Sequence, residues 1–233
     1  MYKSETSKHR DKLKTFCVGY GLDIGFGGDP ITPNAIRVDL ETPYAHTGEF
    51  GIQLAGDSRS LDWFKDGVLD FVYSSHVLED FAASETKLVM REWTRVLKDG
   101  GRLILLLPDQ RRYVEHCRKT GQPPNQCHSI DYFSLKYVKE VAEDIGNLDA
   151  LSEEDGIDEY SFYVVFTKKS VTKTSQAEMT AEKEILQLRQ EKADLNYQLR
   201  QALEKLDRYR KNPIVRIMKA IYFSPRKFIR GQR

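Results

Sequence analysis

The chain has few cysteines: Cys17, Cys117 and Cys127 are three in 233 residues, an odd number at irregular spacing, which argues against a disulfide framework. No window reaches the ~18 uninterrupted apolar residues of a membrane span. The opening stretch MYKSETSKHRDKLK lacks the apolar run of a secretory signal. Together these absences point to a cytoplasmic protein with reduced thiols. Acidic residues are absent after Asp207, whereas nine basic ones follow it: Arg208, Arg210, Lys211, Arg216, Lys219, Arg226, Lys227, Arg230 and Arg233. The overall charge of +1 hides this, because residues 1–207 hold 27 basic against 35 acidic residues, a net −8, and the tail is +9. Such a balance excludes a surface built throughout to neutralise phosphates, while the cationic end calls for an anionic partner. The Gly-Lys-Ser/Thr of a phosphate loop is missing too. Pro30 stands where a GxGxxG dinucleotide pattern needs its third glycine, which disfavours nicotinamide and flavin cofactors.

Short β-type runs are present at Gly21–Gly25, Ala35–Leu40, Gly51–Ala55, Leu69–Ser74 and Arg102–Leu107. The last contains LILLL, continuous rather than alternating apolarity, the mark of a strand covered on both faces in a parallel α/β sheet. Leu88, Trp93, Val96 and Leu97 predict a helix over Ala83–Lys98 that stops at Gly100-Gly101. Asp158–Lys168 reads as a late strand, preceded by a 142–150 segment that would pair with it in a hairpin. Only about ten residues, Pro30 and Pro33 among them, separate the first two strands, so a turn or one helical turn is expected there.

Residues 169–177 have a linker composition. In 178–211, Ile185, Leu188, Lys192, Leu195, Leu199, Ala202, Leu206 and Tyr209 alternate at intervals of three and four, a heptad stripe. It predicts a coiled coil that makes the protein a dimer or trimer; a helix folded back on its own domain is the alternative. In 212–233, Ile214, Ile217, Met218 and Ile221 share a helix face opposite Arg216 and Lys219. That pattern suits an anionic membrane surface, with docking on another subunit or on nucleic acid as alternatives.

GLDIGFGGDP places a glycine-rich turn directly after the first strand, where backbone can approach a nucleotide-like ligand. With the sites that follow it in order, the chain resembles the class I S-adenosylmethionine-dependent methyltransferases. Asp23, Gly25 and Gly27 look like the family's first motif, and Asp39, closing IRVDL, matches the acidic residue that takes the ribose hydroxyls. Asp57-Ser58 resembles the adenine position, and DFVYSSHVLED, with Ser74, is similar to the fourth-strand motif. RVLKDGGRLILLLPD is similar to the helix and fifth strand after it. The resemblance implies a Rossmann-like sheet, mostly parallel with an antiparallel last strand, within residues 1–168, and S-adenosyl-L-methionine as cofactor.

The segment Asp109–Phe133 is too polar for core. Its Arg111, Arg112, Tyr113 and His116 suit a polar, hydroxyl-bearing acceptor. An alcohol acceptor must lose a proton, and His128 and His76 are the candidate general bases. The pairs His116-Cys117 and Cys127-His128 do not match zinc-ligand spacings, so no metal is expected. Ser74-Ser75-His76-Val77 stands where enzymes methylating nucleobase amines carry Asn-Pro-Pro-Tyr, which turns the reading away from nucleic acid.

A catalytic domain followed by a coiled coil and a basic amphipathic end resembles the bacterial methyltransferases of surface-polysaccharide clusters, including O-antigen chain terminators. That resemblance implies a glycan or glycolipid acceptor and a peripheral place on the inner face of the membrane. A methyltransferase for a lipid or small molecule is one rival reading. A non-catalytic membrane scaffold with a vestigial domain is the other.

Overall fold

The computed structural model describes residues 4–41, 43, 50–170 and 188. The expected coiled coil, linker and basic tail lie outside these residues apart from isolated positions. Seven strands form one sheet: β1 (Gly21–Ile24), β2 (Ile36–Asp39), β3 (Leu54–Ala55), β4 (Leu69–Ser75), β5 (Leu97–Pro108), β6 (Leu148–Asp155) and β7 (Ser161–Lys168). Their order is β3-β2-β1-β4-β5-β7-β6, parallel except that β7 runs antiparallel to both of its neighbours. This is the Rossmann-like, mostly parallel arrangement with an antiparallel last strand. Among the described residues four α-helices accompany it: α1 (Glu5–Leu13), α2 (Ala83–Arg95), α3 (Gln110–Thr120) and α4 (Leu135–Ile145).

The two-sided burial read from LILLL is seen in the packing. Leu103, Leu105 and Leu107 join Val89, Met90 and Trp93 of α2 and Val138 and Ala142 of α4 on one face. Ile104 and Leu106 join Leu13 of α1, Ile31, Phe71 and Tyr73 on the other. Side chains alternating along a strand supply both cores, so a continuous apolar run is required.

Two local expectations are corrected. The helix begun at Ala83 ends at Arg95 and not at the glycine pair, because Leu97 already pairs with Leu69 as strand. The 142–150 segment is divided: its first residues close α4, and only from Leu148 does it pair with β7 in the expected hairpin. Turns carry the chain from β1 to β2, with no helix in that crossover. The polar segment after β5 forms α3, capped by the Asp109 carboxylate at its start and by left-handed Gly121 at its end. Among the described residues no helix is long and apolar enough to cross a membrane.

Candidate active site

The strand order reverses between β1 and β4, so their carboxyl ends diverge and leave a crevice at the sheet edge where α/β folds bind ligands. A cleft of about 530 Å³ lies there, and Gly25, Gly27, Asp39, Asp57, Ser58 and His76 are among the residues lining it. Gly25, Gly27 and Gly28 all have φ in the left-handed region, the sharp turn that glycine permits. A Cβ on Gly25 would run into Val77, so the turns after β1 and β4 interlock through a missing side chain. Asp39 ends β2 with Oδ1 accepting the Leu40 N–H at 2.8 Å and Oδ2 accepting the Gly27 N–H at 3.3 Å. Asp57 accepts the Arg59 N–H at 2.9 Å and pairs with its guanidinium at 2.7 Å. Ser58 is held from below, its carbonyl accepting the Trp93 indole N–H of α2 at 2.8 Å.

Asp23 and Ser74 do not line the cleft. Asp23 is fully buried and accepts the Ile31 N–H at 2.6 Å, closing the glycine loop from beneath. Burial lifts its carboxyl to about 8, opposed by that hydrogen bond and supported by the charges of Asp29 and Asp39. Ser74 donates to the Ile24 carbonyl at 3.2 Å and links β4 to β1. Both residues build the site's floor.

The two candidate bases are placed differently. His76 follows β4 and is the one non-glycine among the described residues with φ in the left-handed region, at 54°. Its N–H donates to the Leu106 carbonyl at 2.9 Å, which fixes the strained turn, and its imidazole lines the cleft. Burial disfavours its charged form, but Glu79, Glu5 and Asp158 outweigh it and raise the pKa above the ordinary imidazole value. His128 lies behind the cleft, its Nδ1 2.8 Å from the Gln110 side-chain oxygen. Burial, together with the His76 charge, lowers its pKa despite Glu79. The neighbouring loop residue Cys127 reaches the cleft instead.

Tyr113 and His116, on α3, gather with His128 and His76 around Tyr160. The ring centroids are 5.4 Å apart for Tyr113 and Tyr160, 4.9 Å for His116 and Tyr160, and 4.7 Å for Tyr113 and His128. The remaining two expected acceptor residues are elsewhere: Arg112 pairs with Asp155 at the end of β6, and Arg111 faces a separate depression with Arg118 and Asp131. Sequence reasoning passed over Ser4, Glu5 and Thr6, which line the cleft from α1, and Arg59 and Phe81, which line it from the other side. Arg59 stacks over Phe81 at 4.7 Å. The α1 signal was legible: Ser4 is an N-cap accepting the Ser7 N–H at 3.0 Å, with Glu5 in the first turn and Arg10 and Lys12 in the last.

The cleft fits the expected cofactor. Its volume is that of a small-molecule site. The interlocked glycine turn clears space for a methionine-like group, and Asp39 offers a carboxylate to paired hydroxyls at the end of β2.

Residues 22–105 match a family model described as a methyltransferase domain. No curated protein matches the chain significantly. Among solved structures, the PH0226 protein from Pyrococcus horikoshii OT3 is similar at 21% identity and a TM-score of 0.54, covering 72% of this chain and 92% of that one. A SAM-dependent methyltransferase from Archaeoglobus fulgidus is similar at 14% identity and a TM-score of 0.53, over 70% of this chain and 92% of that one. At these identities the likeness is one of fold. The family match starts in β1 and ends in β5, the strands that frame the switch-point cleft, and on that ground the protein is a methyltransferase that takes S-adenosylmethionine as its cofactor.

Proposed function

We propose that the protein is an O-methyltransferase acting on a sugar hydroxyl or phosphate of a lipid-linked surface glycan at the inner face of the membrane. The observation that carries the reading is His76, a partly buried imidazole held by a strained turn in the wall of the cofactor cleft. A neutral amine or thiolate acceptor needs no such group, whereas an alcohol must surrender a proton as its oxygen attacks. When bound, S-adenosylmethionine supplies the methyl group on a sulfonium, which passes to the acceptor oxygen and leaves S-adenosylhomocysteine. Gly25, Gly27, Asp39, Asp57 and Ser58 would hold it, and His76 would take the acceptor proton. Tyr113, His116 and Tyr160 offer rings and hydrogen-bonding edges of the kind that suit a hydroxyl-rich acceptor.

The lipid-linked character of the acceptor rests on sequence alone. Apart from Leu188, the heptad stripe of 178–211 and the cationic stripe of 212–233 are outside the described residues, and they support self-association and an anionic membrane partner by composition and spacing. The test is transfer of tritium from S-adenosyl-L-[methyl-3H]methionine to membrane fractions of the parent organism. Label in the glycolipid fraction, lowered about 10²–10⁴-fold by His76→Ala, supports the reading. Label confined to phospholipid, or an unaffected rate in the variant, overturns it.

A further inference from the structure

The turn that carries His76 continues into a 3-10 helix, Leu78–Asp80, pinned to the core by fully buried Leu78. Glu79, on that helix, is 1% exposed. Apart from the imidazoles that face it, neither of its carboxylate oxygens has a hydrogen-bond partner. A carboxylate so removed from water is strongly disfavoured unless charged or polar groups compensate it. Two imidazoles face it: His76 Nδ1 is 3.4 Å from Oε1, and His128 Nε2 is 3.7 Å from the same oxygen. His128 is spoken for on its other side by Gln110. The opposite nitrogen of His76, Nε2, has no hydrogen-bond partner and lies 3.8 Å from Glu5 Oε2, and both residues line the cleft.

We propose that Glu79 is the positioning residue of the methyl-transfer site: its buried carboxylate holds the proton on His76 Nδ1, so that Nε2 presents its lone pair to the acceptor hydroxyl. This rests on the reading of His76 as the general base. A neutral imidazole has one N–H and one lone pair, and the partner of the first nitrogen decides which face is basic. As the acceptor oxygen bonds to the methyl carbon, its O–H bond breaks and the proton passes to Nε2. The resulting imidazolium keeps its Nδ1 proton and faces the Glu79 carboxylate until the proton returns to solvent. Glu5 from α1 and Asp158 from the β6–β7 turn add negative charge around the ring, and the Tyr160 ring meets it edge-on at a centroid distance of 6.1 Å.

The test reads the ring directly. In the full-length protein saturated with S-adenosylhomocysteine and labelled with 15N-histidine, His76 should be the Nδ1–H tautomer when neutral. Glu79→Gln should lower its pKa by about one unit or more, since an opposite charge within a few ångström is withdrawn. Transfer to the glycolipid fraction should drop about tenfold or more, with the rising limb of its pH profile moved down in step. Retained S-adenosylhomocysteine binding shows that the variant folds. Should it not fold, Glu79→Asp, which keeps the charge but withdraws it by one methylene, should lower the pKa by less. An unmoved His76 titration, or a shift at His128 alone, overturns the proposal while His76 stands as base. A His76→Ala protein that transfers at the parental rate removes the base itself, whatever Glu79 does to the ring.

Discussion

Asp23 carries a pH dependence that belongs to one residue. Its carboxyl sits at about 8 in the folded protein against 3.8 for the free group. The native state therefore keeps a proton that the unfolded chain releases. Its contribution is intact below about pH 4, falls as pH rises between the two values, and levels off above about 8. Asp23→Asn keeps an oxygen for the Ile31 N–H and removes the titration. The variant should match the parent near pH 3.5, below the unfolded value, and exceed it at pH 9 by a few kcal/mol, at about 1.4 kcal/mol for each tenfold change in the proton's affinity. Denaturant unfolding at the two pH values checks this, and a difference independent of pH would show that Asp23 is ionised in its site. Asp39 makes a different prediction, because it lines the cleft. Losing a charged acceptor of about 1.5–3 kcal/mol should weaken S-adenosylhomocysteine binding to Asp39→Ala roughly ten- to a hundredfold. Unchanged calorimetric affinity would remove Asp39 from the ribose position. The sequence marked both carboxylates, since motif order identifies positions at strand ends. It could not tell lining from floor, which depends on which way each side chain leaves its strand. Glu79 was illegible for a related reason: its burial and its approach to His76 Nδ1 depend on how the turn after β4 packs, which a spacing of three residues does not show.

The helix α1 shows what element-level reading can and cannot see. It is a polar helix with only Thr6 and Leu13 buried, so it offers almost no apolar periodicity to find. What attaches it is spread over the molecule. Arg10 and Ser4 reach Asp29, Lys12 reaches Glu154, His9 meets Asp158 at 2.8 Å, and Tyr160 donates to Glu5 at 2.9 Å. Burial alone would raise Asp158, yet the His9 ring and the Tyr160 and Ser161 amides hold it down at about 2. The central strands lie at the opposite extreme, legible because each contains a buried apolar run, FVY in β4, LILLL in β5 and FYVVF in β7. At Lys98–Gly101 local grammar lost to tertiary pairing, since the glycines signalled a helix end while Leu97 was already committed to Leu69. Exposed ion pairs contribute little each, about 0–1 kcal/mol, so Leu13 is the apolar anchor of α1. Leu13→Ala, a loss of about 2–5 kcal/mol at a fully buried site, should release α1 before the sheet unfolds. Hydrogen exchange should quicken across residues 5–13 and leave β4 and β5 protected, with weaker cofactor binding because Ser4, Glu5 and Thr6 leave the cleft wall. Equal loss of protection in β5 would mean that α1 and the sheet form a single cooperative unit.

At the scale of the whole molecule, charge is divided between two ends: residues 1–207 are net −8 and the tail carries +9. An anionic body is repelled by anionic lipid, so the proposed membrane binding would have to come from the tail and overcome that repulsion. Each side chain of the stripe Ile214, Ile217, Met218 and Ile221 supplies about 1.5–3 kcal/mol when fully removed from water, and each nearby cation about 1 kcal/mol at an anionic surface. Ordering a helix of this length consumes much of that gain, at roughly 1–2 kcal/mol per residue fixed. One tail should therefore bind weakly. Two or three tails joined through the heptad stripe would act at a high effective concentration, so oligomerisation and membrane binding should fail together. Leu195→Asp with Leu199→Asp puts charges in the seam and should lower the mass seen by light scattering, leaving the S-adenosylhomocysteine affinity of the methyltransferase domain unchanged. The same protein, its tail intact, should sediment less with anionic liposomes than the parent. Ile217→Asp with Ile221→Asp should reduce sedimentation without changing the mass, and added salt should reduce it in the parent. Sedimentation of the parent that is equal with neutral and anionic liposomes would sink the electrostatic part. A seam variant that dissociates yet sediments like the parent would show that a single tail suffices, and the coupling of assembly to the membrane would be wrong.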